Sequence, residues 1–432
     1  MPWPARAPAA RALGASKTVS LDQRFAEAMG QLLGPDFPSE IGLAVSGGGD
    51  SMAMLTLAHN WTRVWGVRLR VVTVDHGLRP ESADEAAMVA GECATLGWPH
   101  TTLRWHWDGA GNKMDAARRG RLALIDEWRG ALSHVLMAHT RDDVAETFLM
   151  RLARGSGVDG LAAMSARREV GGMQVLRPCL DMGRAELRHY LTVLRTPWAE
   201  DPSNEDPAYG RVRMRRLLSE LQAEGLGSDT LADTAARLRD DRVALAMRAA
   251  TIWDAVGMQT GWGGLMLAPD WYEQVETATQ RRLLSAMLRF VSGAEYAPRA
   301  EALEGLRDRL VSGGSGTLHG CEVIHHRGRV LMFREAAAVA EGGVIAPGIA
   351  WDGRWQVAAP GYAGCTIRAL GEDGWRQVTE KPPGGPPFRA ALSLPSIWRG
   401  DSLLACDALG VGPGNTARLC RAGVFRDFLL SH

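Results

Sequence analysis

The stretch SGGGDS at positions 46–51 puts three glycines, two hydroxyls and a carboxylate between an apolar run, LAV, and a helical pattern that begins near Asp50 or Ser51. Glycines there can adopt backbone conformations closed to other residues and bring peptide N–H groups close to a ligand. At a helix N-terminus those N–H groups and the helix dipole favour an anion, and phosphate is the usual guest. A bare strand-to-helix turn needs less than this. A Walker loop would need a lysine after its last glycine, and the chain has lysine only at 17, 113 and 381. The fingerprint G-x-G-x-x-G occurs as GSGVDG at 155–160, but it follows a helical stretch and reads as a helix stop.

A second set of reactive side chains lies in DDVAET at 142–147. On a helix, Asp142, Asp143 and Glu146 fall within one turn. Such a set suits a cation, a metal or a transferred proton, although acids at a helix start also satisfy the helix dipole. His139 ends the preceding apolar strand, and a structural imidazole would look the same. Asp201, Ser203, Asn204 and Asp206 precede Arg211, Arg213, Arg215 and Arg216, a basic run suited to an RNA backbone or to a solvated helix face. His319, Cys321, His325 and His326 match alternating strand positions and no standard zinc spacing.

These residues need a scaffold, and the pattern from 21 to about 140 supplies one. Short β-branched runs (41–46, 68–76, 100–107, 134–140) alternate with helical stretches (21–33, 51–64, 81–97, 112–130). That alternation predicts an α/β fold, a doubly wound parallel sheet covered on both faces, with ligands at the strands' C-terminal ends. Beyond 140 the strand signal thins, and a mainly helical middle region is expected, including a long helix over 229–256. The last part reads as a small α+β domain. The resulting division is a leader at 1–20, a catalytic domain at 21–225, a helical domain at 226–335, a linker at 336–350 and a C-terminal domain at 351–432.

The chain has 432 residues, 46% hydrophobic and 23% charged, the composition of a folded protein. No apolar run is long enough to span a membrane. The six cysteines are scattered without a C-x-x-C pair, which favours a reducing compartment. Residues 1–20 are basic and Ala/Pro-rich without an organised apolar segment, so they read as a disordered leader on a cytoplasmic protein. The formal charge is zero, and any basic surface for a nucleic acid is therefore local. A monomer and a homodimer are both open from sequence.

SGGGDS resembles the pyrophosphate loop, S-G-G-x-D-S, of the N-type ATP pyrophosphatases. Five further stretches narrow the resemblance: VDHGLRPES at 74–82, AHTRDDVAET at 138–147, RGSGVDGLAAM at 154–164, LRPCLDMGRAELRHYL at 176–191 and WAEDPSNEDPAYGRVRMR at 198–215. Together they resemble the tRNA(Ile)-lysidine synthetases over roughly 40–225. ALSLPSIWRGDSLLACDALG in the C-terminal part resembles that family more loosely.

The resemblance implies ATP and Mg²⁺, free L-lysine, and a tRNA(Ile) with a CAU anticodon, whose wobble cytidine is adenylated and then attacked by lysine. It implies that Ser46, Gly47, Gly48, Gly49, Asp50 and Ser51, with Asp75 and His76, bind ATP, and that Asp50 helps place Mg²⁺. It makes Asp50, Arg118, His139, Asp143 and Glu146 the catalytic set, with Asp142, Asp143 and Glu146 also candidates for lysine. Arg121, Arg211, Arg213, Arg215 and Arg216 become candidates for tRNA. The chain departs from the family pattern at Leu122, where an aromatic is usual, and at Thr140 and Val144, where histidine and glutamine are common. The rivals are a 2-thiocytidine-type sulfur transferase, which needs catalytic or cluster-binding cysteines, an amidating synthetase, which needs a glutaminase domain, and a non-catalytic RNA-binding module.

Overall fold

The structure is a computed structural model and describes residues 19–77, 81–107, 109, 113–200, 210–273, 275–339, 343–344, 350–357, 361–362, 364–419 and 424–431. Most of the expected leader, part of the linker, and Asp201, Ser203, Asn204 and Asp206 lie outside the described residues. The chain divides into two compact units, 1–242 and 243–432.

In the first unit α1 (Leu21–Leu33) is followed by β1 (Glu40–Ala44), α2 (Gly49–Trp65), β2 (Arg68–Asp75), α3 (Ser82–Leu96), β3 (His100–Arg104), α4 (Lys113–Trp128) and β4 (His134–Met137). Then come α5 (Arg141–Leu152), α6 (Val158–Leu161), β5 (Arg167–Val170), β6 (Met173–Leu176), α7 (Arg184–Leu194) and α8 (Gly210–Leu221); α9 (Ser228–Val256) runs across the division between the units. Local signals set the boundaries. Ser20 caps α1 by accepting from the Gln23 amide. Gly66, at φ +68°, ends α2 in the left-handed conformation that suits glycine.

The sheet order is β3-β2-β1-β4-β6-β5, parallel throughout except for the edge strand β5. Strand order reverses between β1 and β4, and an open α/β sheet binds ligands at the carboxyl ends of the strands at such a point. Ala44 pairs with Met137. Ser46 and His139 therefore leave neighbouring strands in step, two residues past a paired position. Ile41 and Leu43 of β1, nearly all of the first half of α2, and Phe25 and Met29 of α1 form the fully buried core beneath this edge.

The β5–β6 hairpin was not expected. Its signal was present in Gly171-Gly172, both at positive φ (+59° and +88°), a pair that closes a two-residue hairpin.

The second unit also carries more strand than expected. β7 (Gly257–Gln259), β8 (Leu265–Leu267), β9 (Gly316–Leu318), β10 (Cys321–His326) and β11 (Arg329–Arg334) form an antiparallel sheet in the order β7-β8-β11-β10-β9. α10 (Thr277–Ser292) and α11 (Ala300–Val311) pack on it. Strands of three residues are too short to show the two-residue alternation by which a strand is read. Among the described residues the remainder holds two small sheets and three short α-helices. The last of these helices, at Phe425–Ser431, sends Phe425, Phe428 and Leu429 into the core formed by α10, α11 and the five-stranded sheet.

Candidate active site

The SGGGDS loop connects β1 to α2 and is braced from within. The Ser51 hydroxyl donates to the Gly48 carbonyl at 2.8 Å and accepts from the Ser46 amide at 3.1 Å, while the two serine hydroxyls lie 3.2 Å apart. Gly47 alone of the three glycines has positive φ, +90°. Its carbonyl accepts from the Ala199 amide at 2.9 Å, which ties the loop to the segment before α8. The first-turn amides of α2 begin at this loop, where a helix offers donors to an anion.

Opposite it, α5 opens with a capping box. The Asp143 Oδ2 accepts from the Thr140 amide at 2.9 Å and from its hydroxyl at 3.1 Å. Asp143 divides its oxygens: Oδ2 caps the helix, and Oδ1 lies toward Arg184 and Arg211. Glu146 is fully buried and Asp143 nearly so.

The group that joins these carboxylates is Arg184, the first residue of α7. Its Nε lies 3.2 Å from Asp50 Oδ2, Nη1 3.2 Å from Glu146 Oε1 and Nη2 3.4 Å from Asp143 Oδ1. Its backbone amide donates to Asp142 Oδ2 at 2.7 Å, and the other oxygen of Asp142 accepts from the Ser228 hydroxyl at 3.1 Å. The four acids thus come together across α2, α5 and α7. Asp50 Oδ1 and Glu146 Oε2 are buried and accept no hydrogen bond among the described residues. No group of three or more acidic, histidine or cysteine side chains among the described residues is arranged to hold a metal ion, but these two carboxylate oxygens are free to accept from a cationic ligand.

The electrostatics separates the acids. Burial raises the pKa of Asp50, and Arg184 only partly offsets it. Burial also works against ionisation of Asp143, but Arg184 and the Thr140 amide outweigh it and hold the group below the usual carboxylate range. Arg184 is held more firmly protonated by Asp143, Glu146 and Asp50 against the cost of its own burial. Burial, with Arg177, lowers His139 to about 3, so it is a neutral imidazole at physiological pH. Its Nδ1 accepts from Arg177 Nε at 3.2 Å. His76 is lowered to about 4 by burial and by the charge of Arg121, and its ring meets Trp105 edge-on.

The other expected residues fall into two groups. Asp75 accepts from the Gly77 amide at 2.8 Å, closing the turn after β2. Arg118 and Arg121 are exposed on α4, yet their fields reach the site: Arg118 depresses Arg177, and Arg121 depresses both His76 and His139. On α8, Arg215 donates from Nε to Glu146 Oε1 at 2.5 Å, and Arg211 lies 3.8 Å from Asp143. Arg213 and Arg216 are exposed. Sequence reasoning did not single out Arg184 or Arg177. Both lie in the stretch LRPCLDMGRAEL, where nothing in spacing marks one arginine above the rest.

A family profile described as a PP-loop domain matches residues 21–221, the span of the first unit's sheet and of α8. A tRNA(Ile)-lysidine synthase from Ruegeria pomeroyi is 41% identical over 395 residues, covering 88% of this chain and 91% of that protein. The chain belongs to the tRNA(Ile)-lysidine synthase family. A second member, from Hyphomonas neptunium, is 38% identical over 329 residues, 74% of this chain and 88% of that protein. Among solved structures, the U34-tRNA thiolase NcsA from Methanococcus maripaludis aligns at 16% identity with a TM-score of 0.43, over 50% of this chain and 78% of that one. The PP-loop domain brings ATP use with it. No helix among the described residues is long and apolar enough to cross a membrane.

Proposed function

We propose that the protein ligates free L-lysine to the wobble cytidine of a CAU-anticodon tRNA(Ile) in two ATP-dependent steps. The observation that carries this reading is that Arg184 joins Asp142, Asp143 and Glu146 to Asp50 of the pyrophosphate loop, at the reversal point of the sheet. An adenylating enzyme needs the loop; one that also takes a cationic amine needs the acids.

In the first step the cytidine C2 carbonyl oxygen attacks the α-phosphorus of ATP, the bond to the bridging oxygen breaks and pyrophosphate leaves. Ser46, Ser51 and the amides of Gly47, Gly48 and Gly49 hold the leaving end. Asp50 and Glu146 would hold Mg²⁺ through their unpartnered oxygens, and Mg²⁺ supplies charge compensation to the polyphosphate when bound. In the second step the lysine ε-amine attacks C2, the C2–oxygen bond breaks and AMP leaves with that oxygen. Asp143, held anionic, and Asp142 suit the ammonium group, whose proton passes to a carboxylate before attack. Neutral His139, fixed by Arg177, serves as a hydrogen-bonding group rather than a base at physiological pH. Asp75 and His76 border the nucleotide side. Arg118, Arg121, Arg211, Arg213 and Arg216 offer charge to the tRNA, and Arg215 acts through Glu146. The cytoplasm holds all three substrates, and the protein acts there as a monomer or a homodimer.

The sulfur-transfer rival is disfavoured by the thiols. Cys93, Cys179, Cys321, Cys365 and Cys406 are all buried, and burial pushes the Cys93 and Cys321 thiols up to about 12 and Cys406 to about 11.

The deciding experiment is incorporation of radiolabelled lysine into unmodified CAU-anticodon tRNA(Ile), with initiator tRNA as control and each component omitted in turn. ATP-dependent labelling of tRNA(Ile) alone is expected. AMP formation on the tRNA without lysine labelling would refute the ligase.

A further inference from the structure

We propose that Arg184 is the resident counter-cation of the acid site: its guanidinium stands among Asp50, Asp143 and Glu146, where an incoming cation must bind, and loading requires its release from Asp50 and Glu146. The proposal rests on the reading of these acids as a cation site, but not on the identity of the RNA substrate.

Three observations carry it. First, the guanidinium meets three carboxylates on two different helices, through three different nitrogens, at 3.2, 3.2 and 3.4 Å. A strong arginine–carboxylate pair is bidentate and about 2.7–2.9 Å long. None of these contacts is bidentate, so Arg184 is shared among the acids rather than locked onto one. Second, it leaves acceptors unmet. Asp50 Oδ1 and Glu146 Oε2 are buried and have no donor among the described residues, although both side chains already contact Arg184. A divalent cation or an ammonium group would satisfy oxygens that a planar fork at this position does not reach. Third, the residue is anchored independently of its side chain. Its backbone amide is fixed by Asp142 at 2.7 Å at the start of α7, so the guanidinium can withdraw while the helix stays docked. Arg215 does not share the role, because its one ion pair among these acids is with Glu146.

Arg184 is thus a positioning residue. It ties α2 to α5 and prevents Asp50, Asp143 and Glu146 from facing one another uncompensated. Its cost is competition with the ligand.

The test is cation binding to the full-length, nucleotide-free protein. Mn²⁺ binding followed by electron paramagnetic resonance and L-lysine binding followed by calorimetry would be compared in the wild type, Arg184→Gln and Arg184→Lys. Removing a unit charge in contact with the site is worth more than one decade of affinity at the effective dielectric of a protein. Arg184→Gln should therefore bind at least one probe about tenfold or more tighter than the wild type. Tightening of Mn²⁺ alone makes the competitor a metal; tightening of lysine alone makes it the substrate ammonium. Arg184→Lys, which keeps the charge but cannot fork across three acids, should fall between. It gives the same sign should the glutamine variant fail to fold. Unchanged or weaker binding of both probes would overturn the proposal and leave Arg184 a structural strut. A wild-type protein that fails to label tRNA(Ile) with lysine would refute the ligase while leaving this comparison intact.

Discussion

Gly47→Ala isolates what the phosphate loop costs. The φ of +90° at Gly47 lies where an L-residue is strained by about 1–3 kcal/mol. Crowding adds little, since an added Cβ would find its nearest neighbour, the Glu85 Cβ, at 3.4 Å, an ordinary contact. The strain has two outlets. If the loop keeps its shape, the N-terminal unit loses stability, and at about 2–4 °C per kcal/mol its melting temperature falls by roughly 2–12 °C. If the loop relaxes, its amides turn away from the phosphates, and 1–2 kcal/mol weakens ATP about five- to thirtyfold. Differential scanning calorimetry and calorimetric titration with Mg·ATP, run on the same preparation, measure both outlets. Gly49→Ala is the control. Its φ is not positive, its added Cβ would sit 3.4 Å from Arg188 Cγ and 3.5 Å from Trp198 Cδ1, and it opens a helix. That variant should melt close to wild type. A Gly47→Ala protein with both unchanged melting and unchanged ATP affinity would refute the reasoning, as would a Gly49→Ala protein equally destabilised.

Asp50→Asn should abolish AMP formation while the protein still folds; AMP release at the wild-type rate would remove Asp50 from the adenylation step. Arg213→Ala should weaken tRNA binding and reduce by about one the slope of its salt dependence, as loss of one phosphate contact does. Arg215→Ala should instead lower stability by about 1–3 kcal/mol, because it strips a partner from the buried Glu146; urea unfolding distinguishes the two, and equal behaviour would contradict the placement of α8. His139, at about 3, and His76, at about 4, lie below the value near 6.5 expected of an unfolded imidazole. The unfolded chain then binds more protons between those limits, so this contribution is complete above about pH 6.5 and is lost as pH falls toward 4 and 3. His139→Gln should flatten that part of a stability–pH profile, and an unaltered slope would show that the imidazole is not held neutral by the fold.

Much of the scaffold was legible because each element carried its own punctuation. α1 spans the residues its periodicity predicted, from the Ser20 cap to Gly34, and the four strands that bear the site were each found to within a few residues. The loop SGGGDS was readable because its composition is wasteful for anything except holding an anion. The acids of α5 were readable as a cluster, but not their division of labour, since a capping box and a ligand set share the same residues. Arg184 was invisible for a different reason. It acts on Asp50 across 134 positions of sequence, and only the docking of α7 at the point where the sheet reverses brings the two together. The three-residue strands of the second unit carry no periodicity and draw their identity from their neighbours.

Among the described residues, the cations that pair with the acids or act on the site's histidine and arginines include Arg118, Arg121, Arg177, Arg184, Arg211 and Arg215, all of them arginines. An adenylated cytidine is an electrophile that waits for an amine. A guanidinium keeps its proton under all physiological conditions and so is not a nucleophile, whereas a buried lysine readily gives up its charge and becomes one. A scaffold that draws its positive charge from arginine can steady phosphates and carboxylates without offering the activated base an amine of its own. In the proposed ligation, the amine that reacts is then the one delivered from solution.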